Sequence, residues 1–464
     1  MPAAFIENRT YDEIQVGDSA TLTRTLRPED IQLFAIMSGD VNPAHVDPEY
    51  AHSSMFQEVI AHGMWGGALI STVLGTEFPG PGTIYIGQTL RFSRPVKVGD
   101  TITVKVTCKQ KFDHNKHMIF ECLCNNQDGL KVIAGEAEVL APTEKIKRER
   151  VELPEFTISD RWARYKKLLA RAKGLPAATA VFAQPVHAES LQSAVAASES
   201  GILRPVLVGP EKEMREVAAQ NSIDLRRCRL INVPHARAAV ARAIEMARAG
   251  DADILVQGDI LTHEFLVPLI GPEGLSTVRR LSHVLYIDVP SYPRPIIISD
   301  MMVNIEPTLE HKIEIVQNAI DFAHIMGIPE PKVAILAGID TVMPKMRTTL
   351  DAAALCKMAD RGQITGAVID GPLGIDNAIS IVAARSAHLK SAVAGQADVL
   401  IAPDLEAGNM LAKQLEHLSD AISGGVVLGG KVPIVLANRN DSIESRVASL
   451  VLSLLVANHQ RARQ

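Results

Sequence analysis

From about residue 177 onward the chain repeats one pattern: a short apolar run, a turn, then a segment with helical spacing. The runs are Ala177–Phe182, Pro205–Gly209, Asp253–Gln257, Lys332–Ala337, Gly366–Asp370, Ala397–Ala402 and Pro433–Ala437. Each is too short for a helix and largely apolar, as a strand covered on both faces must be. The segments between them, such as Ala188–Ser200 and Leu309–Met326, read as amphipathic helices. Alternation of this kind predicts an α/β region built on a mostly parallel sheet. Ligands of such sheets bind beyond the carboxyl ends of the strands.

The first third of the chain is written differently. Thr101 to Val106 alternates strictly (Thr-Ile-Thr-Val-Lys-Val), which marks a half-buried strand, and Val132 to Leu140 reads as another. Ser54 to Leu74 is apolar, rich in Gly and Ala, and too long for a strand. Its Gly66-Gly67 pair would cost about 1 kcal/mol per residue in a helix, so tight packing or close ligand approach is expected there. Between the two texts lie the charged run Lys145–Arg150 and Pro154, a linker without apolar period. Ser159-Asp160 then supplies caps for a helix to about Lys173. The expected organisation is a domain over 1–141, linker and helix over 142–173, and a second domain over 174–464.

Composition excludes several classes. Hydrophobic residues make up 47% and charged residues 22%, an ordinary globular balance, and aromatics are only 4%, so the cores must rest on aliphatic residues. A net charge of −6 leaves no basic footprint for nucleic acid and no polybasic membrane arm. The N-terminal stretch lacks a basic segment followed by an apolar run, and Val447 to Ala457 is too short to span a bilayer, so a cytoplasmic protein is expected. Cysteines are Cys108, Cys122, Cys124, Cys228 and Cys356, an odd and sparse set that argues for reduced thiols. Cys122 and Cys124 would share one face of a strand, and with no second Cys or His pair nearby no metal site is expected.

Within Phe34-Ala-Ile-Met-Ser-Gly-Asp-Val-Asn-Pro-Ala-His45, Asp40 and His45 stand five apart across an Asn-Pro turn. Pro43 fixes the turn, so the two side chains can converge. Adding water across an α,β-unsaturated thioester needs water activated at one carbon and a proton delivered to the next, which a carboxylate and an imidazole can do together. The enolate that develops needs an N–H donor, and Gly63, at the start of the Gly-rich segment, can offer its backbone amide. Spacing alone is equally compatible with a capped turn that has no chemistry. His52 and His62 read as surface or structural residues.

The string FAIMSGDVNPAHVDPEYA, with IAHGMWGGAL after it, closely resembles the signature of the MaoC-like, (R)-specific enoyl-CoA hydratases. The resemblance covers nearly all of residues 10–140. It implies a hot-dog fold, a long helix wrapped by a curved antiparallel sheet, with Asp40 and His45 as the acid/base pair. It also implies that Asn42 organises the turn and binds near substrate, and that the Gly63 N–H holds the thioester oxygen. Met37 and Ala44 depart mildly from the family, at positions that bear on packing.

Three later strings are dense in Gly, Asp and Asn. They are Leu281-Ser-His-Val284 leading to Ser299–Thr308, Asp370–Leu373 with Asp376 and Asn377, and Ser391–Asp398 continuing to Pro403–Asn409. Asn438-Arg-Asn-Asp441 follows the last apolar run. Gly395, Gly408 and Asn409 permit close backbone approach, and Arg439 offers a planar fork for phosphate; ordinary turns explain the same residues equally well. These strings are similar to the phosphate acetyltransferase and phosphate butyryltransferase superfamily, from about residue 175 to 455, with Leu-Ser-His-Val closer to the butyryl branch. The resemblance implies an α/β domain of two subdomains flanking a cleft, and transfer of an acyl group from CoA to phosphate. It implies Arg439 as phosphate ligand, Asp441 as base or orienting group, and Thr262, Ser391 and Asn409 as substrate-binding residues. Asn438 stands where the family has Ser, Val267 where it often has Arg, and Ser445 where the acetyl branch has its acidic base.

The whole chain thus resembles the fused hydratase–phosphate acyltransferase proteins. The implied substrates are acyl-CoA thioesters and phosphate, with no bound cofactor, and a homo-oligomer is expected because both halves resemble families that pair. The competing expectation is a hydratase whose C-terminal domain is a CoA-binding or oligomerisation scaffold without turnover.

Overall fold

The computed structural model describes residues 5–152, 162–271, 273–437 and 441–463. The chain forms two compact units, residues 1–158 and 159–464. Among the described residues, no helix is long and apolar enough to cross a membrane.

The first unit contains β1 (Phe5–Glu7), β2 (Ser19–Thr25), β3 (Ile84–Phe92), β4 (Thr101–Phe112), β5 (His117–Asn125), β6 (Lys131–Leu140) and β7 (Lys147–Glu149). Five of them form an antiparallel sheet in the order β2-β4-β5-β6-β3. The alternation read in the sequence sets its inner face: Ile102, Val104 and Val106 on β4 meet Met118, Phe120, Cys122 and Cys124 on β5, all buried. Helix Gly63–Thr72 lays Trp65, Leu69 and Ile70 against that face. Gly66 lets it approach: a Cβ there would stand 2.3 Å from Ile133 Cδ1. Cys122 and Cys124 share the buried face, and burial pushes their thiols up to about 11 and about 12.

Residues 145–150 are not the featureless linker their composition suggests. β7 pairs with β1, and Lys145 reaches Glu13 at 2.9 Å and Glu7 at 3.4 Å. Opposite charges and main-chain bonds hold this ribbon, so apolar periodicity carries no trace of it. The proposed caps Ser159 and Asp160 lie outside the described residues; a helix follows at Ala163–Ala172.

The second unit carries one eleven-stranded sheet. Its strands are β8 (Ala178–Ala183), β9 (Leu203–Gly209), β10 (Arg229–Asn232), β11 (Ile254–Gln257), β12 (Ser282–Asp288), β13 (Ile296–Ser299), β14 (Lys332–Leu336), β15 (Val368–Leu373), β16 (Val399–Ile401), β17 (Ile422–Leu428) and β18 (Ile434–Val435). The order is β10-β9-β8-β11-β18-β17-β12-β13-β16-β14-β15. Strands from β10 to β18 form one parallel wing, and β13, β16, β14 and β15 form another. The joins β18–β17, β17–β12 and β12–β13 are antiparallel, so the wings run in opposite directions. Helices such as Ala188–Glu199, Leu309–Ile325 and Ile443–Arg463 cover one face of both wings. Separate clusters under Ala236–Ala249 and Leu405–Leu418 cover the other face of each wing. All seven apolar runs are strands, with ends displaced by up to three residues. The antiparallel strands β12, β13 and β17, and the edge strand β10, complete the sheet.

Candidate active sites

In the first unit, helix Pro28–Ser38 ends on Gly39, whose φ of +74° turns the chain sharply out of the helix. Asp40 follows directly. Its N–H donates to Ser38 Oγ at 3.2 Å, and its Oδ1 accepts the Asn42 N–H at 3.1 Å. Asn42 caps the short helix Pro43–Val46, accepting the Ala44 N–H at 3.1 Å, with Pro43 in the first helical position. This brings His45 back toward Asp40. His45 Nδ1 lies 2.9 Å from the Ile60 carbonyl oxygen. A carbonyl only accepts, so Nδ1 carries the proton and Nε2 is the nitrogen left to face a substrate or water.

His62 completes the cluster. It is buried, packs on the His45 ring at 4.0 Å between centroids, and stacks on Phe34 at 4.8 Å. Its Nε2 donates to the Asp40 carbonyl oxygen at 3.0 Å. One nitrogen or carboxylate oxygen from each of Asp40, His45 and His62 lies within 4.8 Å of the others. His62 also precedes helix Gly63–Thr72, so Gly63 holds the first helical position, where the ladder leaves the amide without a carbonyl partner. A Cβ at Gly63 would press on the Phe92 ring at 3.1 Å. His45, His62 and Gly63 line a cavity of about 430 Å³, together with the apolar Trp65, Phe92, Val132 and Ile133 and the polar Ser93 and Arg94.

In the second unit a small cavity of about 40 Å³ lies where the two wings meet. Leu436, just past the carboxyl end of β18, and Met301, just past that of β13, both line it. This is the switch point between the two wings, just beyond strand carboxyl ends, where α/β sheets bind ligands. Asn409, Lys413 and Glu416 reach it from helix Leu405–Leu418, and Asp441, Ser445 and Ser449 from around the start of helix Ile443–Arg463. Their spacing of three and four residues keeps each set on one helix face. Lys413 pairs with Glu416 at 2.6 Å, and Glu416 accepts Ser423 Oγ at 2.6 Å. His283 on β12 lies against the cavity. Burial, helped by the charge of Lys413, pushes its pKa down to about 3, so the ring is neutral.

A family model described as Phosphate acetyl/butaryl transferase matches residues 234–454, and one described as MaoC like domain matches residues 13–122. A phosphate acetyltransferase of Rhizobium meliloti is 46% identical over 303 residues, which cover 65% of this chain and 96% of the relative. The chain belongs to the phosphate acetyl/butyryltransferase family. Its N-terminal unit carries a MaoC-like hydratase domain, and both domains are of enzyme families. Among solved structures, a branched-chain phosphotransacylase from Enterococcus faecalis V583 is 29% identical, with 60% of this chain and 99% of that chain covered and a TM-score of 0.54. The R-hydratase PhaJ1 from Pseudomonas aeruginosa is 47% identical, with 33% of this chain and 99% of that chain covered and a TM-score of 0.33.

In the hydratase domain the structure brings together Asp40, Asn42 and His45, with Gly63 on the same cavity as His45. His62, set aside as structural in the sequence, packs inside the cluster; its signal was adjacency to Gly63. In the transferase domain Asn409 and Asp441 share the switch-point cavity, and Asn409 Nδ2 donates to the Met301 carbonyl oxygen at 3.4 Å. Thr262 opens helix Thr262–Ile270, and its hydroxyl accepts Gln257 Nε2 at 3.4 Å; Gln257 and Asp441 line a second, smaller cavity. Ser391 does not join these residues: its hydroxyl accepts the Val393 and Ala394 N–H groups, each at 3.0 Å, and anchors the turn before β16. Asn438 and Arg439 lie outside the described residues. Sequence reasoning gave no role to Lys413, Glu416 or Ser449, because strand and helix register, not spacing in the chain, gathers them.

Proposed function

We propose that the hydratase domain adds water to trans-2-enoyl-CoA to give (R)-3-hydroxyacyl-CoA, and that the transferase domain converts acyl-CoA and phosphate to acyl phosphate and CoA. The observation that carries the first half is the convergence of Asp40 and His45 beside the first-turn amide of Gly63. His45, with Nδ1–H held by Ile60, keeps Nε2 free to share a water with the Asp40 carboxylate. Hydroxide adds to the β carbon and a proton passes to the α carbon. The Gly63 N–H takes the charge that gathers on the thioester oxygen. The (R) assignment rests on the resemblance of the segment holding Asp40, Asn42 and His45 to the (R)-specific hydratases.

In the transferase domain a phosphate oxygen attacks the acyl carbon, the carbon–sulfur bond breaks, and the phosphate proton ends on the CoA sulfur. Arg439 holds the phosphate, Asp441 carries or orients the proton, and Thr262 and Asn409 bind near the acyl phosphate. Ser391 shapes the loop rather than touching substrate. Neither reaction needs a bound cofactor. Both domains take CoA thioesters, so one chain raises the local concentration of a shared substrate class. Self-association is supported by β3, an edge strand with exposed Ile84, Tyr85 and Ile86. A cytoplasmic setting fits five free thiols.

Steady-state hydration of a trans-2-enoyl-CoA, with chiral analysis of the product, tests the first half. Asp40→Asn and His45→Ala are expected to abolish it in a folded protein, and retention of more than about a tenth of the activity in both would refute the pair. Phosphate-dependent release of CoA thiol from short acyl-CoAs, lost in Arg439→Ala, tests the second. No such release would leave the transferase domain as a CoA-binding or oligomerisation scaffold.

A further inference from the structure

The transferase reading supplies a phosphate ligand and a proton carrier, but no donor for the acyl oxygen, and one buried imidazole stands beside the space such a donor must face. His283 lies on β12 between β17 and β13 and is 2% exposed. Its Nδ1 has no hydrogen-bond partner among the described residues. Buried polar groups are rarely left that way, and an exception calls for a ligand or a chemical role. The neighbouring strand is shaped around this ring. A Cβ at Gly425 on β17 would stand 2.3 Å from His283 Nε2, and one at Gly424 would stand 2.9 Å from the Ser449 main-chain nitrogen. Two adjacent glycines weaken a strand interior and mark a place where something must come close.

The same ring borders the cavity of about 40 Å³ at the switch point, together with Asn409, Asp441 and Ser445. A single water needs roughly 10–15 Å³ on this scale, so the space takes on the order of three water-sized groups, the size of a carbonyl with a short alkyl stub. Leu285, Met301 and Met302 supply apolar wall for such a stub. A neutral imidazole offers an N–H without bringing a charge that would trap anionic phosphate.

We propose that His283 binds the acyl group of the transferase substrates, donating an imidazole N–H to the acyl carbonyl oxygen in a pocket that admits a short chain. This rests on the transferase reading. As the phosphate oxygen bonds to the acyl carbon, the carbonyl electron pair moves onto oxygen. As it returns, the carbon–sulfur bond breaks and the phosphate proton ends on sulfur. The His283 proton stays on its nitrogen and strengthens its hydrogen bond while the oxygen is charged.

Full-length wild type, His283→Leu and His283→Asn are compared for phosphate-dependent CoA release from acetyl-CoA and longer acyl-CoAs, with enoyl-CoA hydration in the same samples as an internal control. The leucine variant is expected to lose about a hundredfold in kcat/KM, as removal of one oxyanion donor does elsewhere. Asparagine, whose amide supplies an N–H near the Nδ1 position, is expected to recover at least tenfold of that loss. In ¹⁵N-histidine spectra, the resonance missing from the asparagine variant identifies His283, and acetyl-CoA is expected to shift it. A leucine variant within about threefold of wild type, or an unmoved His283 resonance at saturating acetyl-CoA, overturns the proposal. If wild type shows no phosphate-dependent turnover, the transferase reading falls and the spectra alone decide whether the ring meets the acyl group. If the leucine variant does not fold, the asparagine variant and the spectra decide.

Discussion

Acid acts on the transferase domain through His283 by an amount that follows from its burial. Burial and the charge of Lys413 push the folded-state pKa from the ordinary 6.5 down to about 3. An unfolded chain takes up this proton as pH falls through 6.5, whereas the folded chain refuses it until about 3. Between those values the unfolded state binds one proton more, so stability rises with pH and is lost as acid is added. The slope is about 1.4 kcal/mol per pH unit. The loss from this one group is therefore about 2 kcal/mol near pH 5 and about 3 kcal/mol near pH 4, and it vanishes above about pH 7. Among the described residues, Lys413, Glu416 and Asp441 line the same cavity and the Asp300 carboxylate accepts the His283 main-chain N–H; all remain in a His283→Asn variant, so their own titrations cancel in a comparison. Urea unfolding of the two full-length proteins, read by hydrogen exchange of peptides from β12 and β17, gives their stabilities across the range. The difference between them is expected to move by about 2 kcal/mol in favour of the asparagine variant from near pH 7.5 to near pH 5. Parallel pH dependences would refute the reasoning, because they would mean that the folded state accepts the proton as readily as the unfolded one.

Three further outcomes follow from packing and pairing. His62→Ala removes the ring that packs on His45 and the donor to the Asp40 carbonyl; kcat for hydration is expected to fall about 10- to 100-fold with KM little changed, and His62→Gln to recover part of it. Equal rises in KM for both variants would place His62 in substrate binding instead. Gly135→Ala would put a Cβ 1.8 Å from the Thr89 carbonyl oxygen across the β6–β3 pairing, and is expected to cost about 3 kcal/mol or more, read as a fall in the hydratase domain's melting temperature. Asp351→Asn leaves Lys312 buried without the carboxylate that holds it at 2.8 Å, and is expected to destabilise the transferase domain by about 3–5 kcal/mol. The double variant Lys312→Met with Asp351→Leu should lose less, as a denaturant titration of the three proteins would reveal.

What the sequence made legible divides along a physical line. Asp40 and His45 converge because of local devices, a left-handed glycine, an Asn cap and a proline in the first helical turn, and each leaves its own mark within ten residues of chain. Seven of the nine wing strands were equally plain, since strands buried on both faces must be apolar throughout, whereas β13 and the partly exposed edge strand β10 went unread. The antiparallel centre was not. β12 opens with Ser282 and His283, and β17 contains Gly424-Gly425, so neither reads as a core strand, although every residue of β12 except Tyr286 is buried. Those polar and missing side chains are satisfied or accommodated only across the sheet. Asn318 Nδ2 reaches Ser282 Oγ at 2.8 Å from a helix 36 residues away, and His283 fits only because Gly425 on the adjacent strand β17 has no Cβ. Of the residues that break the strand pattern, His283, Gly424 and Gly425 line the switch-point cavity. Natural sequences depart from local consistency where a function requires it. A histidine near the start of one strand and a Gly-Gly pair inside another, 142 positions on, are together better evidence for a binding site than either is against a strand.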